Sequence, residues 1–139
     1  MTRTGQCMCG AVAYRAETGD RVSVCYCKMC QRWASGVFMG VLTESFEVTK
    51  GDDRLSVIKS SDWAERGFCS ECGSTLWYGT AHDGARYLAA GLFDNAGGMT
   101  LVGELYVDKR PSGYAFAGDL HGMTKAEVEA FFSGEGDQA

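Results

Sequence analysis

Cysteine is the residue that most constrains how this chain can fold, because all seven cysteines fall into three short clusters. The clusters have the patterns C-x-C-G, C-x-C-x-x-C and C-x-x-C-G. In chain order they contain Cys7 and Cys9; Cys25, Cys27 and Cys30; and Cys69 and Cys72. An odd number of cysteines cannot all pair as disulfides within one chain, and short Cys-x-x-Cys spacings are typical of metal ligands. We therefore expect the clusters to bind metal ions.

The two clusters that end in glycine predict a closed site of four sulfurs. Zn²⁺ takes four ligands in a tetrahedron, and one tight turn can provide two of them. Gly10 and Gly73 follow the second cysteine of each pair, where a left-handed backbone closes such a turn. We expect a structural zinc site formed by Cys7, Cys9, Cys69 and Cys72.

The middle cluster supplies three sulfurs only. Three protein ligands with one open position are the arrangement of a catalytic zinc, so the sequence predicts a second zinc ion held by Cys25, Cys27 and Cys30. Other interpretations stay open at this point. His82 or His121 could complete the site as a structural one, the cysteines could form disulfides, or the cluster could hold an iron–sulfur centre.

The predicted open site favours carbon–sulfur chemistry. A zinc ion held by three thiolates suits the binding of another thiol, which loses its proton and becomes a nucleophile toward an aldehyde carbon. The sequence therefore predicts a zinc-dependent carbon–sulfur lyase that acts on a small thiol–aldehyde adduct. Lys28 and Arg32 flank Cys30 and could attract a carboxylate-bearing thiol, and Tyr26 is a candidate proton donor. Aromatic residues beside the clusters could wall a pocket or pack in the core; they are Trp33, Phe68, Trp77 and Tyr78.

Short apolar runs separated by turn signals predict an all-β domain. The expected strands cover residues 10–16, 21–25, 37–42, 46–50, 55–59, 74–78, 86–93 and 101–107. One short helix is expected near the C-terminus, where Thr124 and Glu127 form a capping box. Val128, Phe131 and Phe132 would give this helix its apolar stripe, and Gly134 would end it.

Length and composition predict a single domain. The 139 residues, 45% hydrophobic and 22% charged, are ordinary for one globular domain. We expect a zinc-binding domain over residues 4–134 and a frayed tail over 135–139. The net charge of −5, without a basic run, argues against nucleic acid and anionic membrane as partners. No apolar run reaches the ~20 residues of a membrane span, and no apolar stretch follows Arg3, so we expect no secretory signal and a cytoplasmic location.

Three motifs in this order resemble the glutathione-dependent formaldehyde-activating enzyme family, which includes centromere protein V. They are C-x-C-G at Cys7, C-x-C-x-x-C at Cys25, and Phe-Cys-x-x-Cys-Gly-Ser at Phe68 with a following Leu-Trp. The resemblance extends to the segment Tyr106–Pro111. One departure is Tyr26, since the family often carries histidine at that position.

The resemblance implies a fold, a metal content and an activity. The fold would be a β-tent of folded antiparallel sheets related to zinc ribbons. Two zinc ions would be bound per chain, a structural one by the four cysteines of the outer clusters and a catalytic one by the middle cluster. The activity would join glutathione and formaldehyde to S-hydroxymethylglutathione, or act on a similar adduct. A non-catalytic, zinc-stabilised binding or redox-sensing module is the alternative function.

Overall fold

The computed structural model describes residues 1–81 and 83–132 and contains mostly β-strands with two short helices. In chain order the elements are β1 (Thr2–Gln6), β2 (Ala13–Thr18), β3 (Arg21–Cys25), α1 (Lys28–Ala34), β4 (Phe38–Lys50), β5 (Leu55–Lys59), β6 (Ala64–Cys69), β7 (Thr75–Thr80), β8 (Arg86–Ala89), β9 (Thr100–Leu105), β10 (His121–Met123) and α2 (Lys125–Phe132). The predicted all-β class with a short C-terminal helix is confirmed. No helix in these two ranges is both long enough and apolar enough to span a bilayer.

The described residues form two compact units. The first unit contains Met1–Arg21 and Gly40–Thr100, and the second contains Val22–Met39 and the described residues from Leu101 onward. The single domain over residues 4–134 therefore stays a prediction, and the tail over 135–139 lies outside the described residues. Each unit contains one complete group of clustered cysteines.

The first unit is built on an antiparallel sheet. Its strand order is β1-β2-β4-β8-β7-β6-β5, with every neighbouring pair antiparallel. The largest fully buried apolar side chains of this unit are Val12, Tyr14, Val41, Leu76 and Leu88. They come from β2, β4, β7 and β8 and from the turn before β2, which is the turn that carries the first cysteine pair.

Several strands of the first unit differ from the sequence prediction. The segments 46–50 and most of 37–42 are one continuous strand, β4, with a bulge opposite the step from Glu17 to Thr18. The predicted strand 86–93 ends early at Ala89, because Ala90–Leu92 forms a turn of 3-10 helix. Both β1 and β6 were missed by the pattern, since their polar and glycine residues hide the apolar alternation.

The second unit contains a sheet with the order β10-β9-β3 and both helices. The β10–β9 pair is parallel, which departs from the expected antiparallel sheets. The predicted capping box is confirmed: Thr124 N–H donates to Glu127 Oε1 at 2.8 Å, and Glu127 N–H donates to Thr124 Oγ1 at 3.2 Å. Val128 is buried as expected, but Phe131 is 66% exposed, so the predicted apolar stripe is wrong at that residue. The Phe132 side chain and Gly134 lie outside the described part of the chain.

A close contact between β6 and β7 predicts that Gly67 cannot be replaced without a loss of stability. Gly67 faces Trp77 across the two strands, and an added Cβ would lie 2.5 Å from Cε2 of the buried Trp77 ring. We expect Gly67→Ala to lower the free energy of unfolding by about 1–3 kcal/mol, because the ring must move out of its packed position. Chemical denaturation measures this change.

The matched control is Gly19→Ala, because nothing lies within 4 Å of a Cβ built at Gly19. This variant should unfold within about 0.5 kcal/mol of the parent protein. Equal stability of the two variants would contradict the packing role of Gly67.

Candidate metal centres

The sulfurs of Cys7, Cys9, Cys69 and Cys72 converge in the first unit, where all four lie within 4.8 Å of one another. The Cys7 and Cys9 sulfurs are 3.7 Å apart, and those of Cys9 and Cys69 are 3.9 Å apart. A tetrahedral zinc with Zn–S bonds of about 2.3 Å requires S···S distances of about 3.8 Å. The geometry therefore fits a zinc ion, and the donor set of four sulfurs is the type found in structural sites.

Two similar turns bring these sulfurs together. Cys7 N–H donates to the Val12 carbonyl at 2.9 Å, and Cys69 N–H donates to the Ser74 carbonyl at 3.0 Å. Gly10 and Gly73 both have a φ of 79°, so the left-handed turns expected from the sequence are present. One turn joins β1 to β2 and the other joins β6 to β7, so two hairpins supply two cysteines each.

Backbone amides and one hydroxyl stabilise negative charge on the sulfurs. Val12 N–H donates to the Cys7 sulfur at 3.3 Å, and Ala11 N–H donates to the Cys9 sulfur at 3.4 Å. The Ser74 hydroxyl lies 3.1 Å from the Cys72 sulfur and lowers the pKa of that thiol to about 6. Such donors favour thiolates, which are the form of cysteine that binds metal.

The middle cluster gathers in the second unit, where the sulfurs of Cys25, Cys27 and Cys30 also lie within 4.8 Å of one another. Cys25 ends β3, and Cys27 is the N-cap of α1, with its sulfur accepting the Cys30 N–H at 3.3 Å. Hydrogen bonds to the other two cysteines and burial raise the pKa of the Cys25 thiol. The three groups cannot all be thiolates unless a cation compensates their charge, and this donor set fits a zinc ion.

Tyr26 lies between two of these cysteines but points into the protein. Its side chain is 0% exposed, and its hydroxyl donates to Glu104 Oε2 at 2.5 Å. Arg110 Nη1 lies 3.5 Å from the same carboxylate oxygen. Burial and the contact with Glu104 raise the pKa of Tyr26 to about 12. Tyr26 therefore anchors the cluster, and the suggestion that it donates a proton to a substrate is not supported.

Gln31 fixes the backbone around the middle cluster. Its side-chain amide donates to the Tyr26 carbonyl at 2.7 Å and to the Lys109 carbonyl at 3.1 Å. Tyr26 N–H in turn donates to the Leu105 carbonyl at 3.0 Å. The end of β9 and the turn after it are thus held directly against the segment that carries the cysteines. Neither Gln31 nor Glu104 was found from the sequence, because each acts on residues or segments 78 positions away.

The remaining candidates from the sequence are two basic residues and two histidines. Lys28 and Arg32 are exposed on α1. Within residues 1–81 and 83–132, no histidine or carboxylate joins either cysteine group; His121 belongs to β10, and His82 lies outside the described residues.

The four aromatic candidates pack within their own units. The Trp33 ring lies 5.3 Å from that of Phe38. The guanidinium of Arg86 lies 4.4 Å from the Trp77 ring centroid. Phe68 and Tyr78 are half-buried in β6 and β7. Packing in a core or on a sheet therefore explains these residues without a substrate pocket.

Comparison with known proteins identifies one family. The sequence pattern that defines the family described as glutathione-dependent formaldehyde-activating enzyme matches residues 2–109. A Schizosaccharomyces pombe protein named as an uncharacterized lyase is 29% identical over 126 residues, which cover 89% of this chain and 92% of that protein. A Halomonas elongata protein, assigned provisionally by its name to the same family, is 31% identical over 87 residues and 55% of each chain.

One solved structure shows a similar fold. A Rhodobacter sphaeroides protein of known crystal structure superposes with a TM-score of 0.55 at 21% identity, over 66% of this chain and 87% of that one. At this level of identity the similarity concerns the fold alone.

The four-sulfur group predicts that stability depends on metal. We expect Cys72→Ser to lose one metal ion per chain and to unfold, because structural zinc contributes about 10 kcal/mol or more, which is comparable with the whole stability of a domain. Elemental analysis and the thermal midpoint measure the two effects. Cys27→Ser is the comparison variant, which should lose the other ion and stay folded. A Cys72→Ser protein with unchanged metal content and midpoint would contradict this prediction.

Ser74 predicts how the four-sulfur group responds to acid. Met8 N–H donates to Ser74 Oγ at 3.0 Å, which leaves the hydroxyl proton for the Cys72 sulfur. Ser74→Ala should raise the pKa of Cys72 from about 6 toward 9.0. Protons then compete better for the sulfur, so metal release in a pH titration with a coloured chelator should begin at higher pH.

The control for this titration is Ser70→Ala. Ser70 lies on the same turn, but its hydroxyl donates to the Arg54 carbonyl at 2.8 Å. Its removal should leave the pH of metal release unchanged. If both variants release metal at the pH of the parent protein, the contact between Ser74 and Cys72 has no influence on the site.

Proposed function

Because the chain belongs to the glutathione-dependent formaldehyde-activating enzyme family, we propose that it is a carbon–sulfur lyase. It joins a small thiol to an aldehyde, or separates them, at the group formed by Cys25, Cys27 and Cys30. Glutathione and formaldehyde are the substrates that the family suggests, with S-hydroxymethylglutathione as their adduct. The similarity to a relative named as a lyase supports the reaction class.

The observation that carries the proposal is the convergence of three sulfurs, one fewer than a tetrahedral zinc requires. The raised pKa of the Cys25 thiol, caused by its two cysteine neighbours and by burial, indicates that the group needs a cation to hold its charges. A zinc ion bound there would supply a fourth position at which an incoming thiol loses its proton. The four-sulfur group of the first unit, by contrast, already has its full set of ligands.

The reaction balances without an oxidant or reductant. The thiol releases its proton to water, and its sulfur bonds to the carbonyl carbon. The π bond of the carbonyl breaks, its electron pair moves to the oxygen, and the oxygen takes a proton from water. Cleavage of the adduct reverses these steps.

Residues around the middle cluster hold it in place for this reaction. The hydrogen bond from Cys30 N–H to the Cys27 sulfur fixes one ligand at the start of α1. Tyr26 ties the segment to the protein interior through Glu104. Lys28 and Arg32, exposed on α1, supply positive charge that attracts a thiol carrying carboxylates, such as glutathione.

Cys27 provides the test of the proposed function. Cys27→Ser should lower kcat/KM for glutathione and formaldehyde by more than about 100-fold, because the loss of a ligand costs at least as much as the loss of a residue that supports one. Exchange spectroscopy by NMR measures the enzymatic rate above the spontaneous one.

The control for this test is Met29→Leu, an exposed substitution inside the same cluster motif. It should leave the rate within about two-fold of the parent protein, in line with the small effects of ordinary surface substitutions. Turnover that survives in Cys27→Ser would exclude the catalytic role of the cluster. It would then favour the non-catalytic, zinc-stabilised module.

A further inference from the structure

Tyr106, the residue directly after β9, has an unusual backbone. Its φ of 60° and ψ of 45° lie in the left-handed region, which is unfavourable for a bulky aromatic residue. Strained residues of this kind persist only where the surrounding structure holds them, and they are frequent at functional sites. This conformation therefore indicates that neighbouring groups hold Tyr106 in place.

Hydrogen bonds on both sides of Tyr106 hold it beside the middle cluster. The carbonyl of the preceding residue, Leu105, accepts the N–H of Tyr26, which stands between two of the clustered cysteines. The Tyr106 carbonyl accepts the Lys109 N–H at 2.9 Å, and Gln31 bridges the carbonyls of Lys109 and Tyr26. Strands β3 and β9 are neighbours, and they end side by side at Cys25 and Leu105.

The Tyr106 side chain is half-buried, and its backbone lies beside the segment that carries the three cysteines. Burial and the negative charge of nearby groups raise the pKa of Tyr106 to about 12; these groups are Cys27, Glu129, Cys25 and Cys30. A tyrosine hydroxyl keeps its proton at neutral pH in any case, since its ordinary pKa is about 10.

The hydroxyl of Tyr106 differs from that of Tyr26 in having no partner. The Tyr26 hydroxyl is fully engaged by Glu104. Within residues 1–81 and 83–132, by contrast, no protein group accepts a hydrogen bond from the Tyr106 hydroxyl. It is a protonated donor on the turn that borders the cysteine segment, and it remains available to a ligand.

We propose that Tyr106 is a catalytic residue whose hydroxyl donates a hydrogen bond to the oxygen of the aldehyde, or of its thiol adduct, at the group of Cys25, Cys27 and Cys30. This inference rests on the proposed function of that group. As the C–S bond forms, the electron pair of the carbonyl π bond moves to the oxygen, where negative charge develops. A fixed neutral donor at this position stabilises the transition state. The oxygen takes its proton from water, so Tyr106 keeps its own.

The first test is Tyr106→Phe, which removes the hydroxyl and keeps the ring. We expect kcat/KM for glutathione and formaldehyde to fall about 10-fold or more, mainly through kcat, with unchanged thermal midpoint and metal content. Tyr114→Phe is the control, since Tyr114 is an exposed tyrosine of the same unit that packs against Phe116. A Tyr106→Phe enzyme with the kcat/KM of the parent protein would overturn the inference.

A second readout needs no turnover. Titration calorimetry of the zinc-loaded protein compares two small thiols. In 2-mercaptoethanol the carbon next to the sulfur-bearing carbon carries a hydroxyl group, and in ethanethiol it carries none. The parent protein should bind 2-mercaptoethanol several-fold more tightly than ethanethiol, and Tyr106→Phe should lose this preference. A ratio of affinities that is the same in both proteins would overturn the contact between Tyr106 and the ligand oxygen.

Cys27→Ser in the same assays separates the role of Tyr106 from the proposed function of the middle cluster. If Cys27→Ser is inactive while Tyr106→Phe behaves as the parent protein, the role of Tyr106 is wrong and the proposed function stands. If Cys27→Ser keeps full turnover, the proposed function itself fails. The preference for the hydroxyl-bearing thiol then still decides whether Tyr106 contacts a ligand.

Discussion

Four sulfurs within 4.8 Å of one another form the constraint on which the first unit depends. Two hairpins, separated by 60 residues between Cys9 and Cys69, bring them together. Backbone amides point at the sulfurs of Cys7 and Cys9, so the turns themselves help to hold these side chains in place. Charge repulsion among thiolates at such distances would drive the hairpins apart without a cation. A metal ion bound by the four sulfurs would thus close the sheet between the hairpins at one end, in addition to its apolar core.

The middle cluster is organised by different means. Its three sulfurs come from a single short segment, where a strand ends and a helix begins. Within that segment the Cys30 N–H holds the Cys27 sulfur, and contacts from distant residues hold the rest of the segment in place. Tyr26 is buried against Glu104, and Gln31 ties the helix to the turn after β9. A site assembled in this way can offer a ligand position to solvent while its supports stay inside the protein.

The sequence predicted the parts of the fold that local chemistry controls. The glycines after each cysteine pair, the capping box at Thr124 and the strand Leu55–Lys59 are present as expected. The strand β6 was missed because it carries Glu65, Arg66 and Gly67, and Arg66 is nevertheless buried with its guanidinium 5.0 Å from the Tyr78 ring centroid.

The helix α1 was missed for a different reason. It has only seven residues, and a cysteine sulfur caps it instead of a serine or an aspartate. The exposed Phe131 shows that helical spacing alone does not establish burial. The contact of Tyr26 with Glu104 spans 78 positions, and no local pattern encodes such a pair.

The contact of the buried Tyr26 and Glu104 with Arg110, which reaches the carboxylate from the surface, has a consequence for how such a chain can change in evolution. The buried phenol and the buried carboxylate cannot change independently, since the loss of one leaves the other without its hydrogen-bond partner. A histidine at position 26 would have to meet the acid on β9 with a different geometry, or the acid would have to be replaced as well. Coordinated substitution at these three positions is the evolutionary trace that this small network should leave.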